Sequence, residues 1–325
     1  MSKKLAIVIL NWNGKNWLEK FLPSVVSFSE YAEIYVIDNL STDDSVEFTQ
    51  MQFPTVKIIK NNKNYGFAGG YNEGLKSIEA EYYCLLNSDV EVTENWIEPV
   101  LHLFEKDSSI SAIQPKILSF NNKKFFEFAG AGGGLIDNLG YPYCRGRIFD
   151  KVEEDKGQYD DEIDIFWASG CCFFIRSKDF WEQKGFDERF FAHQEEIDLC
   201  WRLINSGKKI FYTGKSTVYH VGGGTLNKQS AQKTYLNIRN NLSMMLKNLP
   251  FPRLIGLLFF RLCLDGVAGI YFGLKQGFPH LWAVVRAHFG FYGQAIGTWK
   301  RRQQNQKDEF YQTKWLIFKH FLGNK

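Results

Sequence analysis

The stretch CLLNSDVEV, residues 84–92, runs from an apolar segment directly into a carboxylate. Residues 84–86 have the character of a buried strand, and Asn87-Ser88-Asp89 follow at once. One interpretation is a solvated turn, because Asn, Ser and Asp side chains hydrogen-bond to their own backbone. The other is a cation or phosphate site, because open α/β folds bind ligands at the carboxyl ends of their strands. These nine residues alone leave both interpretations open.

Four apolar runs in the first 90 residues end in polar side chains. The runs are Leu5–Leu10, Ile34–Ile37, Val56–Ile59 and Tyr82–Leu86. The amide and carboxylate residues that follow them are Asn11, Asp38-Asn39, Asn61-Asn62, and Asn87 with Asp89. Helical spacing between the runs predicts βαβ units and a parallel sheet, in which these strand ends share one edge. We therefore expect an α/β fold with a Rossmann-like, nucleotide-binding crevice at that edge.

The chain after residue 109 is less regular. We predict a helix from about Glu195 to Asn205, and helices from Ser230 to the end. Residues 128–161 are rich in Gly and then acidic, and a connection of this length predicts a binding loop or local disorder. The strands predicted in this half are Ile110–Leu118, Ile163–Trp167, Cys171–Ile175, Lys209–Tyr212 and Thr217–Tyr219.

Charge is unevenly distributed along the 325 residues, whose net charge is +3. Residues 251–325 contain 11 Lys or Arg against 3 Asp or Glu, and the preceding 250 residues contain 28 against 33. A basic segment predicts an anionic partner, either nucleic acid or a membrane surface. The six cysteines have no zinc or C-x-x-C spacing, and the first apolar run is too short for a signal peptide. We therefore expect a reduced, cytoplasmic compartment.

The sequence GFAGG at residues 66–70 enters a predicted helix. Its backbone N–H groups could bind an anion, although small residues there also permit close packing. The first strand is followed by NWNGKNW, which is neither a dinucleotide fingerprint nor a phosphate-binding P-loop. A nucleotidyltransferase needs a basic Gly-rich loop at that point, so this enzyme class is the weaker alternative.

A hard cation is the ligand that Asp89 and Asn87 suit best. Mg²⁺ and Mn²⁺ take oxygen ligands, commonly one or two carboxylates plus substrate phosphates. His220 lies in a Gly-flanked loop. It is either a structural residue or a further ligand of the cation, because Mn²⁺ tolerates a site that mixes nitrogen and oxygen ligands.

Three acids, Glu195, Glu196 and Asp198, cluster at the start of the predicted helix. Favourable interaction with the helix dipole explains one or two of them. Three carboxylates packed together also raise one another's pKa when they are desolvated, and one of them is then a candidate general base. Asp198 and Arg202 are spaced to form an ion pair at i,i+4.

Seven ordered motifs resemble the family 2 glycosyltransferases, over about residues 4–245. They are AIVILNWNG, VIDNLSTDDS, NYGFAGGYNEGL, LLNSDVEV, ASGCCFFIR, FFAHQEEIDLCWR and YHVGGGT. The similarity extends to the bacterial rhamnosyltransferase-like branch, which builds surface polysaccharides. The resemblance implies a GT-A fold, a divalent cation (Mg²⁺ or Mn²⁺), and inverting transfer from a nucleoside-diphosphate sugar to a saccharide or lipid-linked acceptor.

The resemblance also implies roles for individual residues. Along the donor nucleotide it places Asn11, Asp38, Asn64, Gly66, Asn72, Asn87 and Asp89. At the cation it places Asp89, in the family's D-x-D position, and His220 is the further candidate ligand that its Gly-flanked loop suggests. At the acceptor it places Trp167, Ser169 and Gly170. Glu196 matches the base, where many relatives carry Asp, and Glu195 and Asp198 are the other candidate catalytic carboxylates.

We expect a catalytic domain at residues 1–245 and a helical extension at 246–325. Leu254–Leu274 has about the 20 residues that a membrane span requires, but Arg261 and Asp265 interrupt it, so a transmembrane helix fits poorly. A pair of interfacial amphipathic helices fits better. The alternative is a helical subdomain packed on the core or on a second subunit. The basic residues expected at anionic headgroups are Arg286, Lys300, Arg301 and Arg302.

These features predict a cytoplasmic enzyme, peripheral on the inner face of the cell membrane. Nucleic acid is not an expected partner, because the basic residues lie in an apolar tail. The alternative outside catalysis is an inactive membrane-associated scaffold of the same fold. Loss of Asp89 or of the acidic cluster would have favoured the scaffold, and both are present.

Overall fold

The computed structural model describes residues 4–222 and 230–322, so Gly223–Thr225 of the YHVGGGT motif lie outside the described residues. The strands in chain order are β1 (Leu5–Asn11), β2 (Glu33–Asp38), β3 (Lys57–Lys60), β4 (Tyr82–Asn87), β5 (Val90–Val92), β6 (Ile110–Ser119), β7 (Gly134–Ile136), β8 (Pro142–Cys144), β9 (Arg147–Ile148), β10 (Lys151–Val152), β11 (Glu162–Ile165), β12 (Cys172–Arg176) and β13 (Lys209–His220).

The helices surround these strands. They are α1 (Lys15–Ser27), α2 (Ser45–Gln52), α3 (Gly66–Leu75), α4 (Glu98–Lys106), α5 (Ser177–Glu182), α6 (Glu195–Asn205), α7 (Ala231–Asn248), α8 (Phe251–Gln276), α9 (Phe278–Trp299) and α10 (Leu316–Leu322). The predicted helix over residues 195–205 is confirmed as α6.

Nine of the described strands form one mixed sheet in the order β11-β13-β6-β12-β4-β1-β2-β3, with β5 paired to β13. Strands β1 to β4 are parallel, which confirms the predicted βαβ units. Strand β12 is antiparallel to both β4 and β6 and makes the sheet mixed. The polar ends of β1, β2 and β4 therefore meet at one edge.

Both faces of the sheet are covered, which explains why its central strands β1, β4 and β12 are largely apolar. On one face α1 and α4 bury residues at helical spacing, such as Leu18, Leu22 and Val25. On the other face α3, α6 and α7 pack into a second core, which contains Tyr71 and Leu242.

Two elements of the second half differ from the sequence prediction. Strand β13 is one strand of 12 residues instead of two, because β6 pairs with both halves across an irregularity between Thr213 and Thr217. Residues 128–161, expected to be a loop or disordered, contain the small antiparallel sheet β10-β9-β8-β7. Its strands have two or three residues each, too short for a periodicity to be visible in the sequence.

Helices α8 and α9 pack on each other and on α7. The two charges that interrupt the apolar sequence of α8 face the protein: Arg261 pairs with Asp265 at 3.6 Å and donates to the Leu139 carbonyl at 2.6 Å. The Arg261 guanidinium also lies 3.5 Å from the ring centroid of Tyr141. This inward placement leaves the outer face of α8 without charge at its centre.

The outer faces of α8 and α9 are apolar and exposed. On α8 the exposed side chains recur at three-, four- or eight-residue spacing, which keeps them on one side of the helix: Ile255, Phe259, Val267, Ile270 and Leu274. On α9 they include Phe278, Trp282, Phe289 and Ile296. By length and composition alone, α8 could also cross a membrane.

Two of the basic residues expected at headgroups face the catalytic core instead. Arg302 donates to the carbonyls of Leu246 and Leu249, near the C-terminus of α7. Arg301 pairs with Asp187 at 3.1 Å. The last carbonyls of a helix lack partners within the helix, and a guanidinium with several donors can satisfy them.

Candidate active site

The register of the parallel strands assembles the polar edge. Asn11 lies opposite Asp38, and Leu10 lies opposite Asn87. Asn11 is buried and donates to Ser45 Oγ at 2.9 Å, and Asp38 accepts the Ser41 N–H at 3.2 Å. The Asn11 Oδ1 atom has no hydrogen-bond partner among the described residues. The edge therefore offers a buried acceptor beside a carboxylate.

Asn64 and Gly66 belong to a second part of this edge, at the start of α3. Asn39 Nδ2 donates to Asn64 Oδ1 at 2.9 Å and to the Gly66 carbonyl at 3.0 Å. Gly66 has φ +72°, and a Cβ there would lie 2.6 Å from the Phe191 ring. A side chain at residue 66 would therefore collide with Phe191. Asn39 was visible in the sequence only as a strand-end residue.

Asn72 lies farther along α3 and contacts the segment that leads to α6. Its Nδ2 donates to the Phe186 carbonyl at 2.9 Å, and its Oδ1 accepts the Phe186 N–H at 2.9 Å. Both ends of the amide are thus used within the protein. The predicted contact of Asn72 with a nucleotide stays a prediction.

Asp89 and His220 are in contact, although they are 131 positions apart. Strand β5 pairs with the end of β13, with Val90 opposite His220, and this register places His220 Nε2 3.1 Å from Asp89 Oδ1. Glu127 lies on the other side of the ring, 3.4 Å from Nδ1. Asn87 Nδ2 is 3.5 Å from Nε2. The sequence did not indicate Glu127, because nothing near it signals a site.

The two carboxylates beside His220 favour its protonated form. Burial alone would lower its pKa, but the contacts with Asp89 and Glu127 outweigh burial and raise the pKa to about 10. In turn, burial would raise the pKa of Asp89, but the hydrogen bond from His220 holds it below its ordinary value. The edge therefore contains a cationic ring between two carboxylates.

Asp89 fits a divalent cation that takes its remaining ligands from a bound substrate. Within residues 4–222 and 230–322, no group of three His, Cys, Asp or Glu side chains could hold a metal ion. Mg²⁺ and Mn²⁺ are commonly held by one or two carboxylates plus substrate phosphates. One carboxylate at the edge of the sheet meets that requirement if a diphosphate supplies the other ligands.

The three predicted acceptor residues precede β12 and are buried. Trp167 Nε1 donates to the Leu135 carbonyl at 2.8 Å, and Ser169 Oγ donates to the Ala129 carbonyl at 2.9 Å. Gly170 is adjacent to Glu196: a Cβ at residue 170 would lie 3.9 Å from the Glu196 carboxyl carbon. Trp167 and Ser169 thus shape the backbone there, and Gly170 leaves room beside the carboxylate.

Glu196 has the environment of a general base. Its Oε2 is buried and has no hydrogen-bond partner among the described residues. Burial raises its pKa to about 7, although the backbone N–H groups around it, including that of Gly170, oppose the rise. A carboxylate with a pKa near neutrality and a free oxygen can accept a proton at working pH.

The two neighbouring acids have different environments. Glu195 is buried, and burial together with the charge of Glu196 raises its pKa well above the ordinary value. Asp198 is buried in a network: Arg202 Nε, Lys247 Nζ and Asn248 Nδ2 all donate to it at 2.8 Å. The predicted pair with Arg202 is confirmed. This network makes Asp198 a structural anion and favours Glu196 as the base.

The family profile "Glycosyl transferase family 2" matches residues 6–183. The chain belongs to this family. It is a glycosyltransferase, as the resemblance implied, and its mixed sheet with flanking helices is the GT-A fold.

Two of its relatives are named for sugar transfer. It is 23% identical over 236 residues to the N-acetylglucosaminyl-diphospho-decaprenol L-rhamnosyltransferase of Mycobacterium tuberculosis, which covers 68% of this chain and 76% of the relative. It is 26% identical over 250 residues to the low-salt glycan biosynthesis hexosyltransferase Agl10 of Haloferax volcanii, covering 74% and 75%. These similarities support a rhamnosyltransferase-like enzyme of glycan synthesis.

Two solved structures share the fold at low sequence identity. GalNAc-T7 with UDP, GalNAc and Mn²⁺ has a TM-score of 0.60 at 18% identity, over 77% of this chain and 49% of GalNAc-T7. TarS (residues 1–349) of S. aureus has a TM-score of 0.56 at 12% identity, over 91% of this chain and 89% of that one. This chain therefore corresponds to about half of GalNAc-T7 and to most of the TarS fragment.

Proposed function

We propose that this glycosyltransferase inverts the anomeric configuration, using a nucleoside-diphosphate sugar as donor and Glu196 as base. The observation that carries the proposal is the buried, unpartnered Oε2 of Glu196 beside Gly170. Glu196 takes the proton of an acceptor hydroxyl, and the hydroxyl oxygen bonds to the anomeric carbon. The bond from that carbon to the diphosphate breaks, and the nucleoside diphosphate leaves with its electron pair.

The donor lies along the carboxyl edge of the sheet in this proposal. The base and ribose bind near Asn11 and Asp38, where the buried Asn11 Oδ1 can accept a hydrogen bond. The diphosphate lies near Asp89 and His220. A divalent cation bound by Asp89 would neutralise the charge that grows on the leaving group.

The names of the relatives suggest which sugar and which acceptor to test. Relatives named as rhamnosyltransferases include the mycobacterial enzyme and WbbL of Escherichia coli. We therefore propose rhamnose as the first sugar to test, and a saccharide on a lipid diphosphate as the acceptor. A lipid-linked acceptor requires an enzyme that works at a membrane surface.

The apolar outer faces of α8 and α9 supply that membrane contact. Exposed Phe, Ile, Leu and Trp side chains on an amphipathic helix bind the interfacial region of a bilayer. The two charges in the middle of α8, Arg261 and Asp265, are buried on its other face, so α8 lies along the surface in this proposal. The protein is then cytoplasmic and peripheral on the inner face of the membrane. A second copy of the chain is the alternative cover for these faces.

The catalytic unit in this proposal extends to the end of α7. The expected boundary at residue 245 falls inside this helix, which ends at Asn248. Lys247 and Asn248 both donate to Asp198 of α6, so α7 helps to hold the helix that carries the base. We therefore place the boundary at Leu249, before α8.

A transfer assay tests the proposal directly. The purified full chain is incubated with dTDP-, UDP- and GDP-sugars, Mn²⁺ or Mg²⁺, and lipid-linked saccharides, and the product's anomeric configuration is read by NMR. The expected result is one donor whose sugar appears inverted in the product. A product of retained configuration would refute the mechanism. Nucleotide binding without transfer to any acceptor would favour the inactive scaffold.

A further inference from the structure

The turn that leads into α6 has an unusual backbone. Phe191, His193 and Gln194 have φ of 63°, 69° and 72°, in the left-handed region that residues with a Cβ rarely adopt. Such conformations persist only where the surroundings hold them, and they cluster at functional sites. Residues 190–194, here called the base turn, end one residue before Glu195 and two before Glu196.

The base turn sets where α6 begins. Gln194 precedes the helix, and its carbonyl accepts the Asp198 N–H at 2.9 Å as the first bond of the helix. The direction in which Glu196 leaves the backbone therefore depends on the conformation of this turn.

Asn240 of α7 holds the base turn through its side-chain amide. Its Nδ2 donates to the carbonyls of Phe190, Ala192 and His193 at 3.0, 2.9 and 2.7 Å. Asn240 is 1% exposed, so these bonds form away from water. One amide group thus binds three carbonyls within four residues.

The orientation of the Asn240 amide is fixed by its neighbour. Arg239 Nε and Nη2 donate to Asn240 Oδ1 at 2.9 and 2.7 Å, which directs the NH₂ group toward the turn. Arg239 Nη2 also donates to the Phe190 carbonyl at 3.0 Å. Next along the helix, Asn241 Nδ2 donates to Gln194 Oε1 at 3.1 Å.

The other side of the base turn contacts the donor-binding edge. The N–H groups of Phe67 and Ala68, in the first turn of α3, donate to the Phe191 carbonyl at 2.9 and 3.3 Å. The turn thus lies between α3, where the nucleotide is proposed to bind, and Glu196.

We propose that Asn240 is a positioning residue for glycosyl transfer, which holds the base turn so that Glu196 faces the acceptor hydroxyl. This inference rests on the proposed function, because it assigns Asn240 a role through Glu196. Asn240 itself touches no reacting group. A displacement of a catalytic group by about 1 Å can reduce a rate by roughly 100-fold.

The substitution Asn240→Asp tests this role with little change in shape. The carboxylate keeps the pairing with Arg239, but it directs an oxygen instead of N–H donors toward three carbonyl oxygens. Asn240→Ala removes both contacts. The matched control is Asn237→Ala, one turn earlier on α7, where the half-buried Asn237 has no described hydrogen bond to the base turn.

Three measurements are made on the full chain. The first is kcat and KM for transfer, with kcat expected to fall roughly 10- to 100-fold in both Asn240 variants and KM for the donor to change little. The second is calorimetric binding of the nucleoside diphosphate, expected to be retained. The third is amide hydrogen exchange, expected to accelerate in residues 189–200 but not in β1 and β4. Asn237→Ala is expected to match the wild type in all three.

The outcomes separate this inference from the proposed function. Wild type that transfers no sugar refutes the proposed function, and hydrogen exchange still tests whether Asn240 holds the turn. Unchanged exchange over residues 189–200 in Asn240→Ala overturns the inference, as does unchanged kcat. The inference is also overturned if nucleotide affinity and melting temperature fall together with kcat in the Asn240 variants, because Asn240 would then only stabilise the fold.

Discussion

Replacing Glu196 by Gln tests the base assignment, because the amide keeps the size of the side chain but cannot take the proton. Base catalysis contributes roughly 10²–10⁴-fold to a rate, or about 3–5 kcal/mol of the barrier at 1.36 kcal/mol for each tenfold. We expect kcat to fall by that factor. Nucleotide affinity should be unchanged, because the proposed donor contacts at the sheet edge do not involve Glu196.

The same substitution should stabilise the fold at alkaline pH. Burial raises the pKa of Glu196 from an ordinary 4.5 to about 7, so the folded protein binds this proton more tightly than the unfolded chain does. Stability is therefore lost as the pH rises from 4.5 to about 7, and the ionised side chain costs about 3 kcal/mol above that range. Gln has no charge to bury. Glu196→Gln should thus unfold at a higher urea concentration than wild type near pH 8, and at the same concentration as wild type near pH 4.

Two assays on each variant decide the matter: sugar transfer with the preferred donor, and urea unfolding at both pH values. Glu195→Gln is the companion variant, and it should lose far less activity because burial and the charge of Glu196 raise the pKa of Glu195 and favour its neutral form. Near-normal turnover in Glu196→Gln with a large loss in Glu195→Gln would move the base to Glu195. Near-normal turnover in both variants would refute a carboxylate base at these two positions of α6.

Three other substitutions test the cation site, the α6–α7 network and the outer helices. Asp89→Ala should abolish the part of nucleotide binding that depends on Mn²⁺ or Mg²⁺, and calorimetry showing equal cation dependence would exclude Asp89 as the ligand. Asp198→Ala should lower the free energy of unfolding by about 3–5 kcal/mol, because it removes the carboxylate of the buried Arg202 and leaves the buried Lys247 with Asp187 alone; a loss within experimental error in urea titration would contradict this. Leu274→Glu on the apolar face should reduce sedimentation with anionic lipid vesicles, and unchanged sedimentation would count against membrane contact through this face.

The parallel part of the sheet could be predicted from sequence because β1, β2 and β4 are buried on both faces. Continuous apolar runs ending in Asn11, Asp38 and Asn87 contain both the strand positions and the shared edge. The small sheet within residues 128–161 could not be predicted, because strands of two or three residues have no measurable period. The continuity of β13 was missed for a related reason: the polar interruption near Gly214 looks like a turn until β6 pairs with both sides of it.

Contacts between distant segments account for what the sequence missed at the site. The pairing of His220 with Asp89 depends on the register of β5 against β13, and the sequence indicated both residues without that register. Glu127 and Asn240 had no local signal, because a single acid or amide in a sequence is ordinary. Their roles come from what they touch: the second nitrogen of His220, and three carbonyls of the base turn.

The division of roles among the three acids of α6 depends on α7 as well as on the sequence of α6. Glu195, Glu196 and Asp198 lie within one turn of helix, yet their pKa values differ. The pKa of Glu195 is raised well above its ordinary value, that of Glu196 is raised to about 7, and that of Asp198 is lowered. Burial acts on all three. Asp198 differs because Arg202 of α6 and Lys247 and Asn248 of α7 all donate to it, and those donors satisfy the charge that burial opposes. Of the three acids, only Asp198 pairs with these two cations, so Glu196 keeps a desolvated carboxylate with a pKa near neutrality. Environments that separate the pKa values of neighbouring carboxylates mark the division of catalytic roles. We therefore propose that α7, which lies beyond the residues matched by the family profile, belongs to the catalytic unit.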